Sequence, residues 1–360
     1  MIQTNEVPLA QKLIADIRRR STRPIRLMEF CGGHTVAVLK NGLRQLLPEN
    51  IKMFSGPGCP VCVTAAADID KVIALSRQPE ITIATFGDLM RVPGSDSSLA
   101  QSRADGNDVR VVYSAMEALD LARQNTGRKV VMVGIGFETT APTIAASILQ
   151  ARLEWCLNYR VLSLHKRTPP VMKAILDAGE THIDGIICPG HVSAIIGSRP
   201  YEFIPSRYGI GCVVTGFEPL DILLGVDKLV RQIESGRPGV EIAYRRAVQP
   251  EGNLKALELM EKVFEVSSAD WRGIGMVPQS GFTFKPGFRD FDAEKVLQTP
   301  HIKTREATGC ICGQILCGVS SPEDCHLFRA ACSPEHPVGP CMVSAEGACS
   351  AYYLYGGENG

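Results

Sequence analysis

The sequence has no excess of either charge, no hydrophobic run of membrane length and no apolar N-terminal segment. Its 38 basic side chains balance 38 acidic ones over 360 residues, which argues against a nucleic-acid or acidic-membrane partner. Glu138 and several threonines interrupt the longest apolar stretch, residues 130–149, so no membrane helix is expected. The first 20 residues carry charges where a secretory signal is apolar. We therefore expect a cytoplasmic protein without membrane or nucleic-acid partners.

Cysteine, by contrast, is abundant. The chain has 13 cysteines, and seven of them lie between residues 310 and 349. Structural disulfides are a poor explanation in a chain that we expect to remain in a reducing compartment. Metal or redox chemistry is the better explanation for so many thiols.

Short Val- and Ile-rich segments alternate with helix-length stretches from residue 24 to residue 221. This pattern is typical of parallel βαβ units and predicts an α/β fold. Eight strands are predicted: Ile25–Phe30, Ile51–Phe54, Ile81–Thr85, Val109–Tyr113, Lys129–Gly134, Arg160–Leu164, Asp184–Ile187 and Cys212–Thr215.

An internal repeat indicates two similar parallel-sheet domains. Residues 27–35 resemble residues 131–139, and two later pairs of segments recur in the same order at nearly the same spacing. We expect α/β domains at residues 21–127 and 128–240 that face each other across a cleft. Residues 241–360 should form a small, mostly helical and irregular domain, on which a helix in residues 1–20 could pack. A metal centre would supply the stability that its small core lacks.

Chemically reactive side chains follow the predicted strands with notable regularity. Because ligands of open α/β sheets bind at the carboxyl ends of strands, these side chains should line the cleft. The candidates are Cys31, His34, Cys59, Cys62, Asp88, Glu138, His191 and Glu218.

Two pairs among these candidates favour specific chemistry. Cys59 and Cys62 form a C-x-x-C motif before a helix expected near Thr64, which favours a redox dithiol over half of a zinc knuckle. Cys31 and His34 share a Gly-Gly turn, which suits a metal such as iron or a Cys–His nucleophile. Taken alone, Cys31 and His34 are better explained as a buried thiol and a turn histidine. The neighbouring C-x-x-C motif and the position after a strand favour the functional interpretation.

The C-terminal cysteines include four with the spacing C-x14-C-x6-C-x16-C, namely Cys310, Cys325, Cys332 and Cys349. Four thiolates suit a [4Fe–4S] cluster, although zinc accepts the same ligands and inert thiols are a third possibility. The same segment also offers Cys312, Cys317 and Cys341.

Six segments resemble the HypD family of [NiFe]-hydrogenase maturation proteins, in order along most of the chain. They are CGGHT (31–35), GPGCPVC (56–62), GFETTAP (136–142), CPGHVS (188–193), GFEPLD (216–221) and PVGPCMVSAEGAC (337–349).

The resemblance implies two similar α/β domains and a third domain with a [4Fe–4S] cluster. It also implies an assembly scaffold rather than a conventional turnover enzyme. With a HypC-type chaperone, the scaffold would hold the iron of an Fe(CN)2CO group that later passes to the hydrogenase large subunit. Cyanide would come from the thiocyanate-bearing carrier HypE.

The resemblance also implies roles for individual residues. Cys31 would bind the transient iron together with an N-terminal cysteine of the chaperone, and His34 would be a further ligand or proton handler. Cys59 and Cys62 would be the redox pair. Cys341 lies inside a family motif but outside the expected cluster ligands, which are Cys310, Cys325, Cys332 and Cys349.

Two other functions remain open at this point. A cluster-dependent thiol–disulfide reductase acting on a partner protein would use Cys59 and Cys62 and leave Cys31 structural. A zinc-stabilised binding module would carry no chemistry at all.

Overall fold

The computed structural model of the chain describes residues 6–299 and 302–357. They form an α/β structure with two parallel sheets and one antiparallel hairpin. The expected fold class is confirmed. No helix in the described residues is both long and apolar enough to cross a membrane.

Sheet one has five parallel strands. Strand β1 lies inside the sheet, and its Leu27 is opposite both Met53 of one neighbouring strand and Gly185 of the other. In spatial order the strands are β2 (Ile51–Ser55), β1 (Ile25–Glu29), β7 (Gly185–Pro189), β8 (Gly211–Thr215) and β9 (Val240–Ile242).

Sheet two has four parallel strands. Its two inner strands are buried on both faces, as helices on each side of a parallel sheet require. In spatial order the strands are β4 (Val109–Val111), β3 (Ile81–Thr85), β5 (Lys129–Gly134) and β6 (Tyr159–Ser163). All eight predicted strands therefore form, each within two residues of its expected bounds.

The two sheets do not divide the chain at the expected boundary between residues 127 and 128. Sheet one takes β1 and β2 from the first expected domain and β7 and β8 from the second, whereas sheet two takes the remaining strands. The two sheets therefore do not coincide with residues 21–127 and 128–240, and those ranges stay a prediction as domain limits. Strand order along a chain does not fix which strands pair, because pairing is decided by non-local packing.

The strand orders nevertheless match the repeat in the sequence. Strand β5 begins at Lys129, 104 residues after the start of β1 at Ile25, and β7 begins at Gly185, 104 residues after the start of β3 at Ile81. Each strand of one repeat thus has a counterpart in the other. When every strand in the order β2-β1-β7-β8 is replaced by its counterpart, the result is β6-β5-β3-β4, which is the order of sheet two read from the opposite edge. Each sheet thus combines one half of each repeat. The duplication itself stays a prediction.

Helices cover both sheets, and three buried apolar clusters fill the space between these layers. The helices are α1 (Val7–Arg20), α2 (Gly32–Lys40), α3 (Leu43–Leu46), α4 (Pro60–Val63), α5 (Ala66–Ser76), α6 (Leu99–Ala104), α7 (Ala115–Gln124), α8 (Ala141–Leu153), α9 (Thr168–Ala178), α10 (Gly190–Ile196), α11 (Phe203–Tyr208), α12 (Pro219–Ser235), α13 (Leu254–Val263), α14 (Ala293–Val296), α15 (Cys312–Leu316) and α16 (Ala348–Tyr355). Single 3₁₀ turns occur at Gly87–Arg91, Arg199–Tyr201, Pro286–Phe291, Pro322–Asp324 and Pro340–Met342.

The N-terminal helix packs on sheet one rather than on the C-terminal segment. Leu13 and Ile17 of α1 are buried in the same cluster as Val226 of α12. Arg20 also forms an ion pair of 2.6 Å with the buried Asp227 of α12. The expectation that this helix packs on residues 241–360 was wrong, because its apolar stripe matches that of α12.

A long hairpin occupies residues for which a helix and then irregular structure were expected. Helix α13 ends at Val263, and β10 (Phe264–Trp271) pairs antiparallel with β11 (Gly275–Phe284). Two successive exposed residues, Glu265 and Val266, break the alternation of burial in β10, and the register shifts between Ser267 and Ala269. A bulge of this kind obscures the period-two pattern by which strands are recognised.

The C-terminal segment lies against sheet one instead of forming a core of its own. Helix α16 packs on α2, and the turn Pro340–Met342 packs on α4. Cys341 and Leu316 belong to the same buried cluster as strand residues of both sheets. This packing brings the C-terminal cysteines to the carboxyl end of sheet one.

Candidate functional site

Cys31 stands at the point where β1 ends and α2 begins. It is the N-cap residue of α2, it has extended backbone angles, and it is half-buried. Its backbone N–H donates to Glu29 Oε2 over 2.8 Å, and Glu29 also accepts from the Thr35 hydroxyl. Glu29 is thus a buried carboxyl held by the Cys31 backbone and the Thr35 side chain. Its place in the apolar segment IRLMEF was a signal that sequence reasoning missed.

Two chain segments approach Cys31 and its neighbour Gly32 so closely that only glycine fits at the contacts. A Cβ on Gly58 would lie 2.4 Å from the backbone of Cys31, and a Cβ on Gly32 would lie 2.1 Å from the carbonyl oxygen of Glu346. The Gly32 N–H also donates to the Gly58 carbonyl over 3.2 Å. The glycines of CGGHT and GPGCPVC therefore set the distance between Cys31, the C-x-x-C loop and Glu346.

The surroundings of Cys31 keep its thiol protonated. Burial, then the Glu346 and Glu29 carboxyls, raises the pKa of Cys31 to about 12. Burial also raises the pKa of Glu29 to about 8. Because a thiol binds a metal only after losing its proton, a cation arriving at Cys31 must displace that proton.

His34 is a neutral, buried histidine, and only one of its two ring nitrogens makes hydrogen bonds to the described residues. Its Nε2 lies 3.0 Å from the carbonyl oxygen of Gly216 and 2.8 Å from the Thr215 hydroxyl oxygen. Burial lowers the pKa of His34 to about 4. Since a carbonyl can only accept, Nε2 carries the hydrogen and Nδ1 keeps its lone pair. Nδ1 has no hydrogen-bond partner in the described residues.

An aromatic stack joins His34 to His191. The ring of Phe217 lies 4.6 Å from the His34 ring and 4.0 Å from the His191 ring, measured between centroids. His191 is exposed at the start of α10. The structure therefore brings together two of the predicted histidines through Phe217, which sequence reasoning did not single out.

Cys59 and Cys62 form a disulfide in the loop that Gly58 brings against Cys31. Cys59 is the N-cap residue of α4, and its Sγ accepts from the Cys62 N–H over 3.2 Å. The motif thus opens the short helix α4 itself, and the next helix, α5, begins at Ala66 rather than near Thr64. Both cysteines are buried, with exposures of 3% and 0%. A partner thiol reaches neither sulfur unless the surrounding segments move.

A second disulfide, which the sequence did not predict, joins Cys312 and Cys341. It lies next to the first pair, because Cys62 Sγ is 3.9 Å from the carbonyl oxygen of Pro340. The only hint in the sequence was that Cys341 falls inside the motif PVGPCMVSAEGAC.

The four predicted cluster cysteines surround one cavity together with Cys312 and Cys341. Burial, and then the proximity of Cys310, Cys332 and Cys325, raises the pKa of Cys349. No three His, Cys, Asp or Glu side chains in the described ranges converge closely enough for a single metal ion.

A [4Fe–4S] cluster fits this donor set better than zinc does. In a cluster each thiolate binds a different iron, so the sulfurs lie farther apart than around one zinc ion. The rest of the cavity wall is apolar, as a buried cluster requires. It includes Ile315, Leu327, Phe328 and Met342. The cluster itself stays a prediction.

The remaining candidates occupy different environments. Asp88 is exposed on the turn after β3 and contributes, after burial, to the raised pKa of Glu346, so it lies near the Cys31 site. Glu138 is buried and accepts from the Thr168 N–H over 2.9 Å and from its hydroxyl over 3.0 Å at the start of α9. Glu218 is the N-cap residue of α12, and its carboxylate lies 3.4 Å from Arg246. Both have structural partners.

Fold and site together define a cysteine-rich α/β protein. A half-buried cysteine, two disulfides and a cavity lined by four further thiols lie at the carboxyl end of sheet one. The sequence profile of the HypD family, described as "Hydrogenase formation hypA family", matches residues 8–356. The chain belongs to this family.

Relatives match along almost the whole chain. The hydrogenase maturation factor HypD of Rhodobacter capsulatus is 44% identical over 361 residues, covering 97% of this chain and 96% of its own length. That of Escherichia coli is 44% identical over 352 residues, covering 96% and 94%. A putative hydrogenase expression/formation protein of Methanocaldococcus jannaschii is 42% identical over 357 residues, covering 99% of both chains.

Proposed function

We propose that this chain, as a member of a family of hydrogenase maturation factors, is the scaffold on which the Fe(CN)2CO group is assembled. It would work with a HypC-type chaperone and receive cyanide from a HypE-type thiocyanate carrier. The observation that carries the proposal is the placement of Cys31 and His34 three residues apart at the start of α2, with the C-x-x-C loop held against Cys31 through Gly58.

The residues around Cys31 suit the capture of an iron ion as cargo. Iron binding requires the Cys31 thiol to release its proton. Glu29, which accepts from the Cys31 backbone N–H, has a pKa of about 8 and is mostly protonated near neutral pH, so the released proton passes to solvent or to the minor ionised fraction of Glu29. Neutral imidazole and thiolate together suit iron in its reduced form. The rings of Phe217 and His34 keep water from one side of the site.

Cyanide release calls for electrons, which the dithiols can supply. Cleaving a carrier thiocyanate to a thiolate and free cyanide consumes two electrons. Closing the reduced Cys59–Cys62 pair to a disulfide releases two electrons and two protons, so the exchange balances. The Cys312–Cys341 pair lies between this motif and Cys310. A [4Fe–4S] cluster on Cys310, Cys325, Cys332 and Cys349 would supply single electrons from an external reductant.

Infrared spectroscopy of the complex co-purified anaerobically with the chaperone tests the scaffold. We expect bands of bound CN and CO with the wild type, none with Cys31→Ala, and unchanged bands with Cys156→Ala. Cys156 is a matched control because it is also a half-buried free thiol, but its hydrogen bond is to Asn158. Bands that persist in the Cys31→Ala complex would overturn the assignment of the iron ligand.

Iron and sulfide analysis of single variants tests the cluster. We expect Cys349→Ala to lose both iron and sulfide and to loosen the C-terminal segment, since cluster binding is coupled to its folding. Cys312→Ala and Cys317→Ala should keep full iron and sulfide. Equal losses in all three variants would show that the ligand set is wrong.

The alternative function, a cluster-dependent thiol–disulfide reductase, is favoured by one observation, the adjacency of the two disulfides. It predicts no iron beyond the cluster in the chaperone complex and leaves Cys31→Ala active. The infrared experiment therefore separates the two functions.

A further inference from the structure

Arg272 is a buried arginine at the tip of the β10–β11 hairpin. Arg272 is only 7% exposed, and its backbone N–H donates to the Val63 carbonyl of α4 over 2.8 Å. Among the described residues, neither Nε nor Nη2 of its guanidinium has a hydrogen-bond partner. A buried cation with unused donors is costly and calls for an anionic partner.

The hairpin tip is fixed against the cysteine-rich segment. Gly273 has a φ of +74°, and a Cβ there would lie 2.2 Å from Cα of Gly313. The tip can therefore lie directly on the first turn of α15. Arg272 lines one pocket with Cys310 and Cys312, and these two cysteines also line the four-thiol cavity. The guanidinium thus adjoins the cavity from its Cys310 side.

The carboxylates near Arg272 do not take the place of the missing partner. Asp70 accepts from the Ser95 N–H over 2.7 Å and from its hydroxyl over 2.5 Å. Glu306 is exposed to solvent. Among the described residues neither accepts a hydrogen bond from Nε or Nη2 of Arg272, and both act on the guanidinium only through their charge. The remaining negative charge in reach is that of the thiolates around the cavity.

We propose that Arg272 is a positioning residue for the cluster, whose guanidinium offsets the negative charge of the thiolate-bound group and raises its reduction potential. The proposal rests on the cluster of the proposed function. A [4Fe–4S] group with four thiolates is anionic, and reduction adds one electron, so a fixed cation nearby stabilises the reduced form more than the oxidised form. Removal of the cation should therefore lower the potential.

A redox titration of the full chain tests this role. The protein is loaded with iron and sulfide under anaerobic conditions and titrated with dithionite, while the cluster is followed by visible absorption and electron paramagnetic resonance. At a fixed potential, we expect Arg272→Met to have at least a tenfold lower ratio of reduced to oxidised cluster, a shift of about 59 mV for one electron. Arg272→Lys, which keeps the charge but not the planar fork, should shift less.

The matched control is Arg305→Met. Arg305 lies five residues before Cys310, but its side chain is 67% exposed and pairs with Asp96 over 2.9 Å. We expect the reduction potential of the cluster in Arg305→Met to equal that in the wild type. If Arg272→Met fails to hold iron, Arg272→Gln, which keeps a donor without the charge, is titrated with the same expectation.

The outcomes separate this proposal from the proposed function. A loaded Arg272 variant with the potential of the Arg305→Met control overturns the role of Arg272 and leaves the cluster standing. A wild-type protein that binds neither iron nor sulfide overturns both.

Discussion

The carboxyl ends of the two sheets occupy matching places in the fold but carry different chemistry. In sheet one, β1 is followed by Cys31 and His34. Under the 104-residue repeat, the matching positions in sheet two are Ile135 and Glu138. Ile135 is a buried core residue, and Glu138 accepts two hydrogen bonds from Thr168. The same position is thus a candidate metal site in one sheet and a structural hydrogen-bond network in the other.

The difference lies in what covers each sheet. The hairpin closes over sheet two, where the Arg167 N–H donates to the Ser280 carbonyl over 2.7 Å and Ser163 donates to the Phe282 carbonyl over 3.0 Å. Sheet one is instead approached by thiol-bearing segments through Gly58 and Gly32. A strand end becomes structural when its polar groups are paired, and it stays available for chemistry when glycines bring other reactive groups to it.

Removing the largest side chain of the hairpin should have the largest effect on stability. Trp271 is fully buried, its Nε1 donates to Ser280 Oγ over 2.7 Å, and its ring stacks on Phe137. We expect Trp271→Ala to lower the free energy of unfolding by about 3–5 kcal/mol in urea titrations, because it leaves a large cavity. Trp155→Ala is the control, since Trp155 is 80% exposed. Equal costs for the two variants would mean that the hairpin does not close sheet two.

Gly58→Ala should disturb the sheet-one site more selectively. The new Cβ would meet the backbone of Cys31 and Phe30, which cannot move aside as a flexible side chain can. We expect a stability loss of about 1–3 kcal/mol, together with loss of the iron bands in the chaperone complex. Gly239→Ala, where a Cβ meets nothing within 4 Å, should change neither. Intact bands in Gly58→Ala would show that the close approach is not needed for iron binding.

Much of this arrangement follows from local sequence, and the rest depends on distant contacts. The strands, and the placement of Cys31, His34 and the C-x-x-C motif after them, could be predicted because parallel strands bury short Val- and Ile-rich segments. The exchange of strands between sheets could not, since either pairing satisfies the same hydrophobic pattern. Likewise the Cys312–Cys341 disulfide joins residues 29 positions apart, and spacing does not determine connectivity.

Lowering the pH should destabilise the protein through His165, a buried histidine that follows β6 of sheet two. Burial, and then the Lys166 charge, lowers the pKa of His165 from 6.5 to about 3. The unfolded chain binds this proton below pH 6.5 while the folded chain does not, so stability is lost as the pH falls from 6.5 towards 3. We expect His165→Gln to remove a slope of about 1.4 kcal/mol per pH unit from urea unfolding curves across that window.

His182→Gln is the matched control, because the His182 side chain is 76% exposed. It should keep the wild-type slope. If His165→Gln also keeps the wild-type slope, His165 already takes up its proton in the folded chain. In that case the carboxyl end of sheet two would be more open to solvent than its hydrogen bonds indicate.

The smallest effect is expected at Glu218, which the sequence placed among the cleft residues. Its side chain is 70% exposed, and its backbone N–H donates to Asp221 Oδ2 over 3.4 Å at the start of α12. Replacement by alanine leaves that backbone bond in place, but it removes the side-chain half of the capping box at Asp221 and a solvent-screened contact with Arg246. We expect Glu218→Ala to change the free energy of unfolding by less than about 1 kcal/mol and to leave the iron bands unchanged. Weakened bands with unchanged stability would instead place Glu218 among the groups that act on the cargo, and would extend the reactive edge of sheet one beyond Phe217.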